Sequence, residues 1–270
     1  MRIRSLLIYR FTTAVVASVC LAFVLDSCSS SKETGVPTTG EKKAFTSTFK
    51  ILSLNLRHTL KDHSGVLKLS RQIKSSGAEI VAVQQIEQPA EGKSGFDAVK
   101  EFAKLTEMYQ FFGKARYLDG FDSGNALFSM YPVRQTAVAS LPVGKGKVRR
   151  SLAFGIIDVG VKSVGVGSTE LDDQSSSERV SQAQEIHSIA QTYTEVPLVV
   201  CGNFWEPLSG KAAQKMQERF VAANALQETT VSNDEHIYAG KGQKLEPLSV
   251  EKIKFAGGIE GVLVTIQVTQ

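Results

Sequence analysis

Phe49-Lys-Ile-Leu-Ser-Leu-Asn-Leu56 and Glu79-Ile-Val-Ala-Val-Gln-Gln-Ile86 decide the fold, together with what separates them. Both runs are short, apolar and β-rich, and read as strands. Between them, Val66, Leu69 and Ile73 recur at helical spacing, with Ser64 as the opening cap and Gly77 as the stop. From Phe49 the chain alternates strands and helices.

The alternation continues outward. Asp97–Tyr109 is expected to be a helix with Phe102, Leu105 and Met108 or Tyr109 facing in. Strands are expected over 110–116, 125–131, 134–142, 151–160 and 162–171. A long helix over 176–193 presents Val180, Ala183, Ile186, Ile189 and Ala190 on one face. Val196–Phe204 reads as a buried strand, a short helix lies near 210–219, and strands near 236–240, 248–256 and 261–268 finish the chain. No repeat and no second linker interrupts the series. The class is α/β (α+β), one domain over residues 48–270, and so many strands imply two packed mixed sheets flanked by helices.

The N-terminus has a different character. Arg2, Arg4 and Arg10 flank an uncharged, largely apolar stretch over 11–25, which is too short for the ~20 residues of a spanning helix. That order is expected of an export signal. Leu25-Asp-Ser-Cys28 is similar to a lipobox, with Asp26 as a departure from the strict pattern. The resemblance implies cleavage after residue 27 and lipid on Cys28. Residues 1–27 are then a lipoprotein signal peptide, and 28–47 a lipidated cysteine and polar tether. The expected location is the cell envelope, outer membrane ahead of inner. The rival readings are an uncleaved anchor helix and cleavage without lipidation.

Loss of 1–27 removes three arginines and one aspartate, which lowers the formal charge from +4 to +2. Nucleic acid, which needs a concentrated basic face, is not an expected partner. Of three cysteines only Cys201 is left in the domain, so no internal disulfide forms, and it reads as a buried strand residue.

Six landmarks sit at expected strand ends: Leu54-Asn-Leu-Arg-His58, Val83-Gln-Gln-Ile86, Gly124-Asn-Ala-Leu-Phe-Ser-Met-Tyr-Pro132, Ser168-Thr-Glu-Leu-Asp172, Val200-Cys-Gly-Asn-Phe-Trp205 and Lys252-Ile-Lys-Phe255. In this order they resemble the endonuclease/exonuclease/phosphatase family, from about residue 49 to 268. The resemblance implies a four-layer sandwich. It also implies Mg²⁺-dependent cleavage of phosphate esters, with the metal held by an asparagine and a glutamate, an aspartate orienting water, and a histidine–aspartate pair.

Position by position, this chain keeps little of that equipment. Asn55 matches the first-strand asparagine, although it equally suits the cap of a strand-to-loop turn. Gln85 stands where the metal-binding glutamate belongs, and Glu170 takes the histidine position of a Thr-His-Leu-Asp motif. Asn203 and Trp205 replace the aspartate and asparagine of Gly-Asp-Phe-Asn, and Lys254 an aspartate. Glu260-Gly261-Val262 aligns with the closing Ser-Asp-His. Amides at 85 and 203 keep shape but not the negative charge a hard dication needs, and cannot act as a general base. Trp205 is expected to partly fill the cleft, and Glu170 to pair with Lys254.

The reading is therefore a lipid-anchored, non-catalytic relative that uses no metal. It binds an envelope protein or a small anionic ligand. The rival is an active Mg²⁺- or Mn²⁺-dependent phosphodiesterase or phosphatase with ligands moved to carboxylates such as Asp119, Asp122 or Asp172; another is a structural envelope protein with a filled cleft. His58, His63, His187 and His236 read as solvated or partnerless, the basic run Gly144–Arg150 as a solvated turn, and Asp172-Asp173 as the entry to the long helix.

Overall fold

The computed structural model describes residues 45–227 and 234–270. The signal segment, Cys28 and nearly all of the tether lie outside these residues. The described part is a sandwich of two six-stranded sheets, each covered by helices on its outer face.

In the first sheet, β1 (Thr46–Asn55) and β2 (Ile80–Pro89) are parallel neighbours joined through α1 (His63–Ser76). Helix α2 (Ala98–Thr106) follows, then β3 (Tyr109–Leu118) and β4 (Phe121–Ser129), which extend the sheet beyond β2. The other side of β1 is occupied by β12 (Glu260–Thr269) and the edge strand β11 (Leu245–Lys254). The second sheet is ordered β5 (Val133–Ser140), β6 (Ser151–Asp158), β7 (Ser163–Glu170), β8 (Leu198–Asn203), β10 (Glu235–Gly240) and β9 (Phe220–Ala222). Its parallel pair, β7 and β8, is connected by α3 (Ser176–Gln191), and α4 (Lys211–Gln217) lies beside α3.

Period-2 alternation makes three apolar layers. Phe49 and Ile51 of β1 face the second sheet, where they meet Val166, Val199 and Cys201. Leu52 and Leu54 point the other way, onto Val66, Leu69 and Ile73 of α1. On the far side, Ala183 and Ile186 of α3 cover Leu198 and Val200. Each such side chain contributes about 1.5–3 kcal/mol when fully buried. Cys201 is a free thiol in the middle layer, and burial pushes its pKa well up.

Several local expectations change. Asp62, not Ser64, caps α1, its carboxylate accepting from the Gly65 amide at 2.8 Å. Gly77 closes that helix with φ 72°, as read. Met108 is buried while Tyr109 is 56% exposed, because the helix ends at Thr106 and Tyr109 begins an edge strand. Strand β11 starts at Leu245, before Pro247. A bulge between Pro247 and Ser249 admits the proline on an edge strand, where its missing N–H costs no ladder bond. His187 is buried rather than solvated, on the inward face of α3, 6.0 Å from the Phe220 ring.

Candidate functional site

Three strand ends and the middle of a fourth strand converge at one rim of the sandwich. β1 ends at Asn55, β7 at Glu170 and β8 at Asn203, while β2 carries Gln85. Register places Asn55 opposite Gln84, and Glu170 and Glu235 on either side of Asn203. Gly202 lets β8 approach so closely because a Cβ there would lie 2.0 Å from the Thr169 carbonyl oxygen.

Backbone geometry then aims the side chains. Gln85 sits at the β2–β4 register shift with φ 54°, so its amide turns across the gap between the sheets. Asn55 and Asn203 each form the same local turn. The Arg57 amide donates to Asn55 Oδ1 at 2.9 Å, and the Trp205 amide to Asn203 Oδ1 at 3.0 Å. Arg57 and Trp205 both take positive φ, and the guanidinium lies 5.5 Å above the indole, bridging the two sheets.

Glu170 is the centre of this arrangement. Its Oε1 accepts from Gln85 Nε2 at 2.5 Å and from Trp205 Nε1 at 3.1 Å. Its Oε2 accepts from Arg150 Nη1. Arg150 Nη2 donates to Asp173 at 3.0 Å, and the Arg150 side chain is only 4% exposed. Burial raises the Glu170 pKa; Arg150, the Trp205 donor, Arg116 and Asn55 pull it back.

Beneath lies a second buried acid that sequence reasoning missed. Glu235 accepts from Ser53 Oγ, and Gln84, its amide nitrogen turned toward the carboxyl, donates to it at 3.0 Å. Burial, aided by the nearby Glu170 charge, pushes its pKa up to about 8. Above it, a cavity of about 300 Å³ is lined by Asn55, Arg57, Asn203, Glu235, Glu260 and the Gly257–Gly258 turn.

The structure thus brings Asn55, Gln85, Glu170, Asn203 and Trp205 together. It does not bring in Lys254, which is exposed beside Arg71 and Gln72 of α1; the cation on Glu170 is Arg150. Gly261 and Val262 are buried in β12, and Val262 belongs to the core between the sheets. Arg150 is likewise no part of a solvated turn. His58 is largely buried, with Nδ1 2.8 Å from Glu87 and Nε2 3.3 Å from Arg116, and burial lowers its pKa. Asp122 pairs with Lys114 at 2.6 Å, and Asp172 accepts from the Gln174 and Ser175 amides at the entry to α3. Among the described residues, no three His, Cys, Asp or Glu side chains are grouped to hold a metal ion.

No family model matches the chain, and no curated protein does. Solved structures match well. An endonuclease/exonuclease/phosphatase from Beutenbergia cavernae superposes with a TM-score of 0.66 at 18% identity, over 82% of this chain and 72% of that one. The chain carries the endonuclease/exonuclease/phosphatase fold. The mannosyl-6-phosphatase of Bacteroides thetaiotaomicron shares that fold with a TM-score of 0.62 at 9% identity, covering 81% of this chain and 99% of its own. So does the human Nocturnin catalytic domain, solved with a sulfate anion, at 0.65 and 12% identity, over 84% and 97%. The four-layer architecture expected of the fold is present.

Proposed function

We propose that this protein is a non-catalytic binding or scaffolding member of the endonuclease/exonuclease/phosphatase fold, held in the cell envelope by lipid on Cys28. One observation carries the reading: the central carboxylate of the site is spent on internal donors. Glu170 is engaged by Gln85, Trp205 and Arg150 at once. The carbonyl oxygens of Asn55 and Asn203 are each taken by a backbone amide.

A hard dication needs several oxygens, with carboxylates among them, and these residues do not fit it. Water activation needs a base close to the reacting water, and amides stand at 85 and 203. Losing a positioned acid or base typically costs about 10²–10⁴-fold in rate. The accessible cavity of about 300 Å³ favours an open cleft over a filled one, and an envelope protein is the proposed partner.

Calorimetric titration of Mn²⁺ into the natural chain tests this reading. Absence of stoichiometric binding at millimolar metal is expected. Binding that Asn55→Ala abolishes would favour the rival, a metal-dependent phosphoric ester hydrolase using Mg²⁺ or Mn²⁺.

A further inference from the structure

A second, smaller cavity lies at the same rim, among β2, β3, β4 and the residues that lead into β6. It measures about 10 Å³, room for the centre of one water-sized group, and is lined by Gln85, Arg116, Ser123, Arg149, Arg150 and Glu170. Three arginines and one acid thus share its wall. Arg150 is matched to Glu170 and, through its second terminal nitrogen, to Asp173. Arg116 is turned to an imidazole instead, its Nη2 lying 3.3 Å from His58 Nε2. The other ring nitrogen of His58 faces Glu87, and burial keeps the ring neutral, so Nε2 accepts from Arg116 and leaves its charge whole. The nearby acids Glu87 and Asp122 already pair with Lys61 and Lys114. Arg149 is exposed and makes no ion pair among the described residues. Three cations against Glu170 and Asp173 leave one positive charge in excess.

The wall also holds a donor with nothing to donate to. Arg150 is 5% exposed, and its Nε is buried without a hydrogen-bond partner. Such an orphan is costly, the more so on a charged group. Glu170 does not supply the missing acceptor, because its oxygens are taken by Gln85, Trp205 and Nη1 of the same arginine. A water molecule would satisfy Nε and leave the surplus charge; an anion answers both. Size then selects among anions. A halide ion fits the space, and so does one oxygen of a carboxylate whose remainder stays at the open side beside Arg149. A whole phosphate group does not.

We propose that this pocket binds one small monovalent anion, a halide ion or a single carboxylate oxygen, held by Arg116, Arg149 and the Nε of Arg150. The inference rests on the metal-free reading of the rim and deepens it by giving the charge and size of what the rim takes. Free chloride is one source; an acidic side chain of a partner protein presents the same chemistry.

The test is the width of the chloride-35 resonance in sodium chloride with the full chain, its Arg116→Gln and Arg149→Gln variants and the Arg116→Gln/Arg149→Gln double variant. The natural protein should broaden the line, and each single variant should bind chloride about tenfold more weakly, the loss of one charge-assisted contact. Lys145→Gln, which removes an exposed cation of the same basic run outside this wall, should change nothing. Formate at equal ionic strength should restore the narrow line, which assigns the site to carboxylates as well; resistance to formate confines it to halides. Phosphate should leave the line broad. Broadening no greater than that of the double variant overturns the anion site, as does displacement by phosphate as readily as by formate. Either result leaves the metal-free reading standing, which stoichiometric Mn²⁺ binding by the natural chain would overturn on its own.

Discussion

Glu235 shows how a single residue sets a property of the whole protein. It is enclosed between the sheets, and burial holds its proton to about pH 8 in the folded state against an ordinary carboxyl value of 4.5 when unfolded. A raised folded pKa means that its contribution is fully present below pH 4.5 and is lost as pH rises through 8. Between those values the folded chain holds one more proton than the unfolded one, so stability falls by up to ~1.4 kcal/mol per pH unit from this group. Denaturant unfolding at pH 5, 7 and 9 should show that slope, and Glu235→Gln should flatten it; an unchanged slope in the variant would exclude Glu235 as the cause. Neither this residue nor Arg150 was legible in the sequence. The partner of Glu235 is Ser53, 182 positions away, and desolvation comes only from two sheets closing over it. Arg150 ends a run of glycines and cations that is locally identical to a solvated turn. Asn55, Gln85, Glu170, Asn203 and Trp205 were legible through the family resemblance, whose motifs each fall at or beside an apolar strand.

Strands and helices followed from periodicity, since alternating Phe49, Ile51 against Leu52, Leu54 leaves few ways to bury both faces. Their ends did not, because ends are fixed by individual hydrogen bonds. Helix α1 is the example: the sequence reading takes Ser64 as its cap, whereas the extended backbone of Asp62 aims that residue's carboxylate at Gly65. Asp62→Ala should destabilise the domain by about 1 kcal/mol in urea unfolding, and Ser64→Ala by a few tenths at most. Equal effects would remove the cap assignment. His187 erred in the opposite sense. It reads as lying on the polar side of its helix, yet its place one turn after Ala183 puts it on the buried face, where burial lowers its pKa.

For the molecule as a whole, the two parallel pairs β1–β2 and β7–β8 give the sandwich a near-symmetric middle. Each half delivers an asparagine with the same turn, and Arg57 over Trp205 joins them. That shared rim suits binding on a rigid frame. Among the described residues no helix is long and apolar enough to cross a membrane. The anchor proposed from the N-terminal sequence is lipid on Cys28: Cys28→Ser should release the protein from the membrane fraction and abolish its labelling by radioactive palmitate, and retention of both would exclude lipidation there. The absence of catalysis is the central claim. Its most direct measurement is hydrolysis of bis(p-nitrophenyl) phosphate and p-nitrophenyl phosphate by the natural chain in millimolar Mg²⁺ or Mn²⁺. No metal-dependent turnover above that of the same preparation in chelator is expected. Turnover that requires the metal and disappears in Asn55→Ala would contradict it.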